Sequence, residues 1–325
     1  MHHAIRIHEH GGPEVLRWEE VPKPSPGPGE ALVKHAAIGL NYIDVYFRTG
    51  LYKPPALPAT IGMEGAGTVE EVGEGVSDLK PGDRVAYATA PIGAYSEYRT
   101  LKAERLVKLP DAIGFDTAAA MMLQGMTAEY LLLRTFKVQP GQTILIHAAA
   151  GGVGLIMCQW AKHLGATVIG TVGSDEKAAL AKAHGCDHPI VYTREDFQAR
   201  VKEITGGRML PVVYDSVGRD TFMKSLDCLA PLGMLVVFGN ASGPVPPFEI
   251  GTLAAKGSLY LTRPTLATYT AKREDLARSA AALFDVVQKG VVRIEVNQRF
   301  ALKDAAEAHR ALEGRRTTGS TLLIP

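Results

Sequence analysis

Apolar and polar positions follow different rhythms along this chain, and each rhythm predicts its own architecture. Up to about Leu123 the apolar runs are short and cut by Gly and Pro. Ala4 to Ile7, Glu30 to Ile38, Gly67 to Val72 and Asp83 to Tyr87 read as strands, with Pro22 to Gly29 a rigid loop and Lys80-Pro81-Gly82-Asp83 a turn. Closely spaced strands of this kind predict a small, partly open β-barrel.

After Pro140-Gly141 the pattern becomes strand, turn, helix, repeated. Strands are predicted at Thr143 to His147, Thr167 to Val172, Ile190 to Tyr192, Val212 to Asp215, Leu235 to Phe238 and Ser258 to Leu261. Helices are predicted at Val153 to Leu164, Lys177 to His184, Asp196 to Ile204 and Arg219 to Leu229; the first carries Val153, Ile156, Met157, Trp160, Ala161 and Leu164 at helical spacing and stops at Gly165. Such alternation specifies an α/β, doubly wound parallel sheet. The tail is mixed, with helices near Lys272 to Lys289 and Lys303 to Glu313 and a closing strand at Thr321 to Ile324. It is expected to rejoin the barrel, giving a discontinuous domain of residues 1–124 and 267–325 around a second domain of residues 125–266.

Composition narrows the function. A chain of 325 residues with 46% hydrophobic and 21% charged residues is a globular protein with more than one core. The net charge of +1, without a dense Lys/Arg block, lacks the footprint of a nucleic-acid or anionic-membrane binder and favours a small ligand. Every apolar stretch is broken before it could cross a bilayer, and the chain opens directly in strand-like alternation, so a cytoplasmic location is expected. Cys158, Cys186 and Cys228, an odd set without a CxxC pair, point to reduced thiols rather than a disulfide framework or zinc knuckle.

The sharpest chemical signal is Ala148-Ala149-Ala150-Gly151-Gly152-Val153-Gly154, which follows a strand and opens a helix. In that context Gly151 lets the backbone approach a pyrophosphate, Gly154 lets the helix pack on the strand, and Gly152 and Val153 lie in the first turn, whose N–H groups and positive dipole end attract phosphate. Ala149 replaces the first glycine of the usual GxGxxG. About twenty residues on, an acid would bind the ribose 2′-hydroxyl of NAD. Here Gly173 stands in its place, followed by Ser174, a hydrogen-bond donor, and Lys177, whose charge suits a 2′-phosphate. These residues read as an NADPH site; Ser174 and Asp175 also read as caps of the next helix with Lys177 solvated, and the two roles are compatible.

With these residues in hand, the chain resembles the zeta-crystallin-like quinone oxidoreductases of the medium-chain dehydrogenase/reductase superfamily, in particular the bacterial NADPH:quinone reductases. The likeness runs the whole length and is most specific at Ala148 to Gly154, at Gly206-Gly207 with Val213 to Gly218, at Phe238 to Gly243, and at Gly257 to Pro264. The resemblance implies a GroES-like, partly open β-barrel catalytic domain plus a Rossmann domain, with the cofactor in the cleft between them. It also implies that Val153, Ser174, Lys177, Tyr192, Ser216, Phe238, Gly239, Asn240, Ser242 and Arg263 line that cofactor, and that Arg316 approaches it from the other domain. Asn41 and Tyr46 are expected to orient the nicotinamide and its acceptor, with Tyr46, Tyr52 or water as the proton donor and Gln124 and Thr127 at the domain junction. A homodimer through the edge strand Ser258 to Leu261 is expected as well.

The resemblance also shows what is missing. Zinc alcohol dehydrogenases carry a Cys where this chain has Asn41, and Gly-His-Glu where it has Gly62-Met63-Glu64; neither Asn41 nor Met63 is a good zinc ligand. Without a Lewis acid a developing alkoxide is unsupported, whereas a quinone accepts electrons readily and needs mainly positioning. The expected activity is therefore zinc-independent transfer of reducing equivalents from NADPH to a quinone. Reduction of an activated enone or enal, and an NADPH-regulated binding role of the crystallin or RNA-binding type, are the alternatives, the latter disfavoured by the neutral charge.

Overall fold

The computed structural model describes residues 1–88 and 90–325. They fall into two compact units: Met1–Met126 with Thr270–Gln288 and Ile294–Pro325, and Thr127–Tyr269 with Lys289–Arg293.

The first unit opens with β1 (His2–Ile7), β2 (Arg17–Val21), β3 (Glu30–Leu40), helix α1 (Tyr42–Thr49), β4 (Ala59–Thr60), β5 (Glu64–Val72), β6 (Arg84–Ala88), β7 (Tyr98–Lys102) and β8 (Val107–Lys108). Short helix α2 (Phe115–Ala119) follows, and then α3 (Met122–Tyr130), through which the chain passes into the second unit. That unit contains β9 (Thr143–Ile146), α4 (Gly152–His163), β10 (Thr167–Val172), α5 (Asp175–Ala183), β11 (His188–Val191), α6 (Phe197–Ile204), β12 (Leu210–Asp215), α7 (Phe222–Asp227), β13 (Leu229–Val237), α8 (Gly251–Ala255), β14 (Tyr260–Thr262) and α9 (Leu266–Tyr269). The chain returns to the first unit with α10 (Arg273–Gln288), β15 (Val296–Ala301), α11 (Ala305–Glu313) and β16 (Ser320–Ile324).

In the first unit β1 is flanked by β2 and β4, and a larger sheet runs β15-β16-β3-β5-β6-β8, with β7 also pairing β3. The long β3 bonds three neighbours because its halves serve different partners: Glu30 to Lys34 face β7, while Ile38 to Leu40 face β16. Ile5, Val33, Ile38, Ile61, Val85, Leu106 and Leu323 share the core between these sheets. Helix α10 buries Leu276, Ala280, Leu283 and Phe284, one face at helical spacing.

The second unit is a six-stranded, wholly parallel sheet in the order β11-β10-β9-β12-β13-β14. The connections reverse direction between β9 and β12, the switch point at which open α/β sheets leave a crevice beyond their carboxyl ends. This is the Rossmann arrangement that the alternating pattern predicts.

Several boundaries differ from the sequence expectation. The helix expected over 219–229 is confined to α7, because the side chain of Asp215 gathers the amides of Val217 and Gly218 and the hydroxyl of Thr221 into a loop, and Leu229 already pairs with Leu210 as strand. The edge strand expected at Ser258 to Leu261 lies at Tyr260–Thr262, because Ser258 adopts φ +56°, which no strand accommodates. Helix α1 went unforeseen. Among the described residues no helix is long and apolar enough to cross a membrane.

Candidate active site

Beyond β9 the backbone turns through Ala148, and Gly151 caps α4 with its own N–H bonded to Ala148 O at 2.9 Å. A side chain at Gly154 is excluded: its Cβ would lie 2.3 Å from the Ala148 carbonyl oxygen. Ala149 is fully buried in the place of the motif's first glycine. The amides of Gly152, Val153 and Gly154 belong to the first helical turn, where N–H groups have no intrahelical acceptor and the dipole favours an anion.

At the end of β10, Gly173 is where the space is contested. A Cβ there would lie 3.1 Å from the Tyr192 hydroxyl, the far end of an exposed side chain that would have to give by a few tenths of an ångström. Tyr192 lies just beyond β11 and is exposed, its N–H bonded to Val172 O at 3.1 Å. Ser174 Oγ accepts the Lys177 N–H at 3.3 Å and so caps α5. The capping reading of Ser174 therefore holds, and Lys177 sits one turn above the cap.

The floor of the next loop is a buried acid that sequence reasoning did not single out. Asp215 has no exposed surface; its Oδ1 accepts the N–H groups of Val217 (2.8 Å) and Gly218 (3.0 Å), and its Oδ2 the hydroxyls of Thr221 (2.7 Å) and Ser225 (3.3 Å). His147 lies beneath, with Nε2 at 2.9 Å from Ser225 Oγ and Nδ1 at 2.8 Å from Thr171 Oγ1, and burial lowers its pKa. Because Ser225 gives its proton to Asp215, the neutral imidazole must donate from Nε2. Ser242 Oγ donates to Val217 O at 2.9 Å and accepts the Asp220 N–H at 3.0 Å, while Phe238 N–H bonds Asp215 O at 2.8 Å. Ser216, Phe238, Gly239, Asn240 and Ser242 are thereby drawn into one rim at the ends of β12 and β13. Thr127 hydrogen-bonds the Tyr130 hydroxyl, with Arg263 close enough to act on that phenol electrostatically. Tyr130 also stacks on Tyr269 at 4.4 Å.

The first unit holds a second constellation. Asn41, 5% exposed, precedes α1 and donates from Nδ2 to Glu64 Oε2 at 2.6 Å. Gln124 Nε2 donates to Asn41 Oδ1 at 3.2 Å, and Ser320 Oγ donates to Gln124 Oε1 at 2.8 Å. Glu64 Oε1 accepts the Leu123 N–H at 2.8 Å, at the start of α3. Complete burial pushes Glu64 up to about 8, against the pull of these donors. Tyr46 packs edge-on to Tyr52 with ring centroids 5.3 Å apart and tilts against Tyr42 at 5.7 Å.

Behind α1 runs a buried polar chain. Asp44 Oδ2 accepts the Asn41 N–H at 2.9 Å and the Tyr95 hydroxyl at 3.0 Å; His309 Nε2 lies 3.0 Å from that hydroxyl, and Arg48 Nη1 lies 3.0 Å from His309 Nδ1. Arg48, 1% exposed, grips Glu313 with both guanidinium nitrogens at 2.7 and 2.8 Å. An arginine only donates, so the His309 proton is on Nε2 and the ring is neutral; burial lowers it to about 3. Burial raises Asp44 to about 7. Arg316 lies beyond α11, exposed, with Nη2 4.0 Å from Glu307.

Two family models match the chain, the alcohol dehydrogenase GroES-like domain over residues 27–111 and the zinc-binding dehydrogenase over residues 152–281. The zinc in the second description does not fit this donor set. Asn41 and Met63 stand at the ligand positions, Glu64 is engaged by Asn41 and Leu123, and among the described residues no group of three His, Cys, Asp or Glu side chains is placed to hold a metal. The chain is 56% identical to a quinone oxidoreductase of Pseudomonas aeruginosa over 99% of both chains. It is 48% identical to a 2-haloacrylate reductase of a Burkholderia species, over 99% of this chain and 98% of that protein. The crystal structure of Escherichia coli quinone oxidoreductase complexed with NADPH superposes with a TM-score of 0.98 at 50% identity, covering 99% of this chain and 100% of that one. Likeness of this extent in sequence and fold makes the chain a member of the quinone oxidoreductase family within the medium-chain dehydrogenase/reductases.

Proposed function

We propose that this protein is a zinc-independent NADPH:quinone oxidoreductase acting in the cytoplasm. The observation that carries the reading is the pairing of a glycine turn and helix N-terminus at Gly151–Gly154 with Gly173, beside the Tyr192 hydroxyl, at the position where an NAD enzyme carries an acid. The turn and helix N-terminus fit a pyrophosphate, because Gly151 puts no side chain over the turn and the first-turn amides of α4 have no intrahelical acceptor, while Gly154 lets α4 pack on the turn at Ala148. The Gly173 rim fits a 2′-phosphate, because Gly173 supplies no carboxylate there, the Tyr192 hydroxyl lies beside it and Lys177 follows in the first turn of α5. When bound, NADPH supplies a hydride equivalent.

In this reading residues 125–266 bind the cofactor and residues 1–124 and 267–325 form the catalytic part. The α4 amides, with Val153, hold the pyrophosphate, and Ser174, Lys177 and Tyr192 surround the 2′-phosphate. Ser216, Phe238, Gly239, Asn240, Ser242 and Arg263 line the rest of the dinucleotide, with Thr127 and Arg316 as further contacts. Asn41 is the orienting group for the acceptor: its amide nitrogen is committed to Glu64 and its oxygen accepts from Gln124, which fixes which way the amide faces. Tyr46 and Tyr52 supply aromatic walls that exclude water and hydroxyls that hold a proton near the acceptor oxygen. The single oxygen anion formed on a quinone that takes up a hydride is stabilised by conjugation, so positioning suffices where an alkoxide would need a metal.

The deciding experiment is steady-state oxidation of NADPH with 1,4-benzoquinone, 9,10-phenanthrenequinone and simple enones, before and after dialysis against a chelator. Quinone turnover insensitive to chelation is expected. A strong preference for enones overturns the acceptor, and activity restored only by zinc overturns the mechanism. We also propose a homodimer through β14, an edge strand whose Tyr260 is 57% exposed. Sedimentation velocity on the protein and on Tyr260→Lys checks it.

A further inference from the structure

We infer that Arg194 and Asp175 form an exchangeable charge pair that sets the preference for a 2′-phosphorylated dinucleotide. The inference rests on the NADPH reading above and adds two residues to it. Asp175 opens α5 directly after the Ser174 cap, where a carboxylate suits the helix dipole but would repel a phosphate dianion bound at the same loop. Arg194 neutralises it. Both terminal guanidinium nitrogens reach the carboxylate, at 2.8 and 2.6 Å, and this contact holds Asp175 below the usual carboxylate range.

The two side chains come from the loops that make the rim. Arg194 follows Tyr192, whose hydroxyl lies over Gly173, and the intervening Thr193 donates from Oγ1 to Gly173 O at 3.4 Å. Residues 173–177 and 192–194 therefore run side by side, and Arg194 stands at the mouth of the place assigned to the 2′-phosphate. Its side chain is 56% exposed and that of Asp175 71%, so the pair is solvated, weakly held and readily exchanged. A guanidinium has five donors in a planar fork and binds phosphate in two-pronged fashion, so a 2′-phosphate can recruit Arg194 while Asp175 stays screened. A 2′-hydroxyl offers no such partner. Discrimination then comes from two effects of one residue: Arg194 attracts the phosphate and cancels the acid that would repel it.

The test is direct binding, by calorimetry or by quenching of protein fluorescence, of NADPH and NADH to the wild-type protein, Arg194→Ala, Asp175→Ala and the double variant. Arg194→Ala is expected to raise the Kd for NADPH about 30-fold and to change that for NADH less than about twofold, in line with loss of a charge-assisted contact plus exposure of an acid. Asp175→Ala is expected to leave NADPH binding unchanged or tighten it. The double variant is expected to recover about threefold of the loss, the share owed to the unmasked acid. Raising the salt concentration should shrink the Arg194→Ala effect. Equal weakening of both cofactors by Arg194→Ala, or no change in either, overturns the inference while leaving the dinucleotide site standing. Wild-type protein that binds neither cofactor removes the NADPH reading and the inference with it.

Discussion

Two buried acids, one in each unit, show two ways of building with a carboxylate. Asp215 is surrounded by four donors, two from backbone and two from hydroxyls, and its work is to shape a loop. Glu64 is equally buried yet pushed up to about 8, and its two oxygens hold the Asn41 side-chain amide and the Leu123 N–H. The first is a saturated structural joint. The second is under electrostatic tension, the condition in which functional groups are commonly kept. The lesson is that burial alone does not mark a working acid; the balance between burial and donors does.

The comparison breaks most readily at Asp215. Asp215→Asn keeps the shape but loses charge-assisted bonds to groups that stay buried, and is expected to lower unfolding free energy by about 3 kcal/mol and to weaken NADPH binding, with kcat at saturating cofactor held. Denaturant unfolding and cofactor titration check both parts; a fall in kcat with unchanged binding would contradict the joint. Glu64→Gln should do the reverse. With one acceptor oxygen left for two donors, the Asn41 amide and the Leu123 N–H, the Asn41 amide is held less firmly, and kcat is expected to fall about 30-fold while the NADPH Kd stays within about twofold, as small misplacements of positioning groups do.

The pH dependence of stability sharpens the contrast. Glu64 and Asp44 are raised to about 8 and about 7, so the folded protein holds protons that the unfolded chain releases, and their contribution is lost as pH rises. His35 and His309 are lowered by burial to about 4 and about 3, so their contribution is lost as pH falls below the ordinary histidine range, and the two trends oppose each other there. Above about pH 6.5 only the carboxylate trend remains. Stability is expected to decline by about 2 kcal/mol between pH 6.5 and 8, and Glu64→Gln to flatten most of the slope. Urea midpoints across that range decide it. The smallest effect is expected from Tyr52→Phe, which keeps the ring against Tyr46 and should change kcat by less than about fivefold if water can replace its hydroxyl.

The same contrast explains what the sequence discloses. The rim that we propose for the nucleotide is local: Ala148 to Gly154 and Gly173 to Lys177 are short motifs, Gly154 answering to a backbone collision and Gly173 to the Tyr192 ring, and the alternation of strands and helices makes the Rossmann sheet legible. Even there, Asp215 looks in sequence like the end of a strand, and its only signal is an acid followed by Ser-Val-Gly. Arg194 carries no motif; only the juxtaposition of two loops reveals it. The Asn41 constellation joins residues 23, 83 and 196 positions apart, through Glu64, Gln124 and Ser320, so no window of sequence contains it. Helix α1 escaped because Asp44 and Arg48, polar in sequence, face inward onto Tyr95, His309 and Glu313.

Arg48 and Glu313 are 265 positions apart, and β3 takes its neighbour β16 from residues 320–324. Synthesis on the ribosome must therefore deliver almost the whole polypeptide before the guanidinium of Arg48 finds its counter-ion, whereas the parallel sheet has all its strands once residue 262 has emerged. The parallel-sheet half is thus free to fold while the earlier-made half still waits, with Arg48 left in water rather than trapped uncompensated in a closed interior. Birth order and the order in which the two sheets gain their last strands run opposite ways in this molecule.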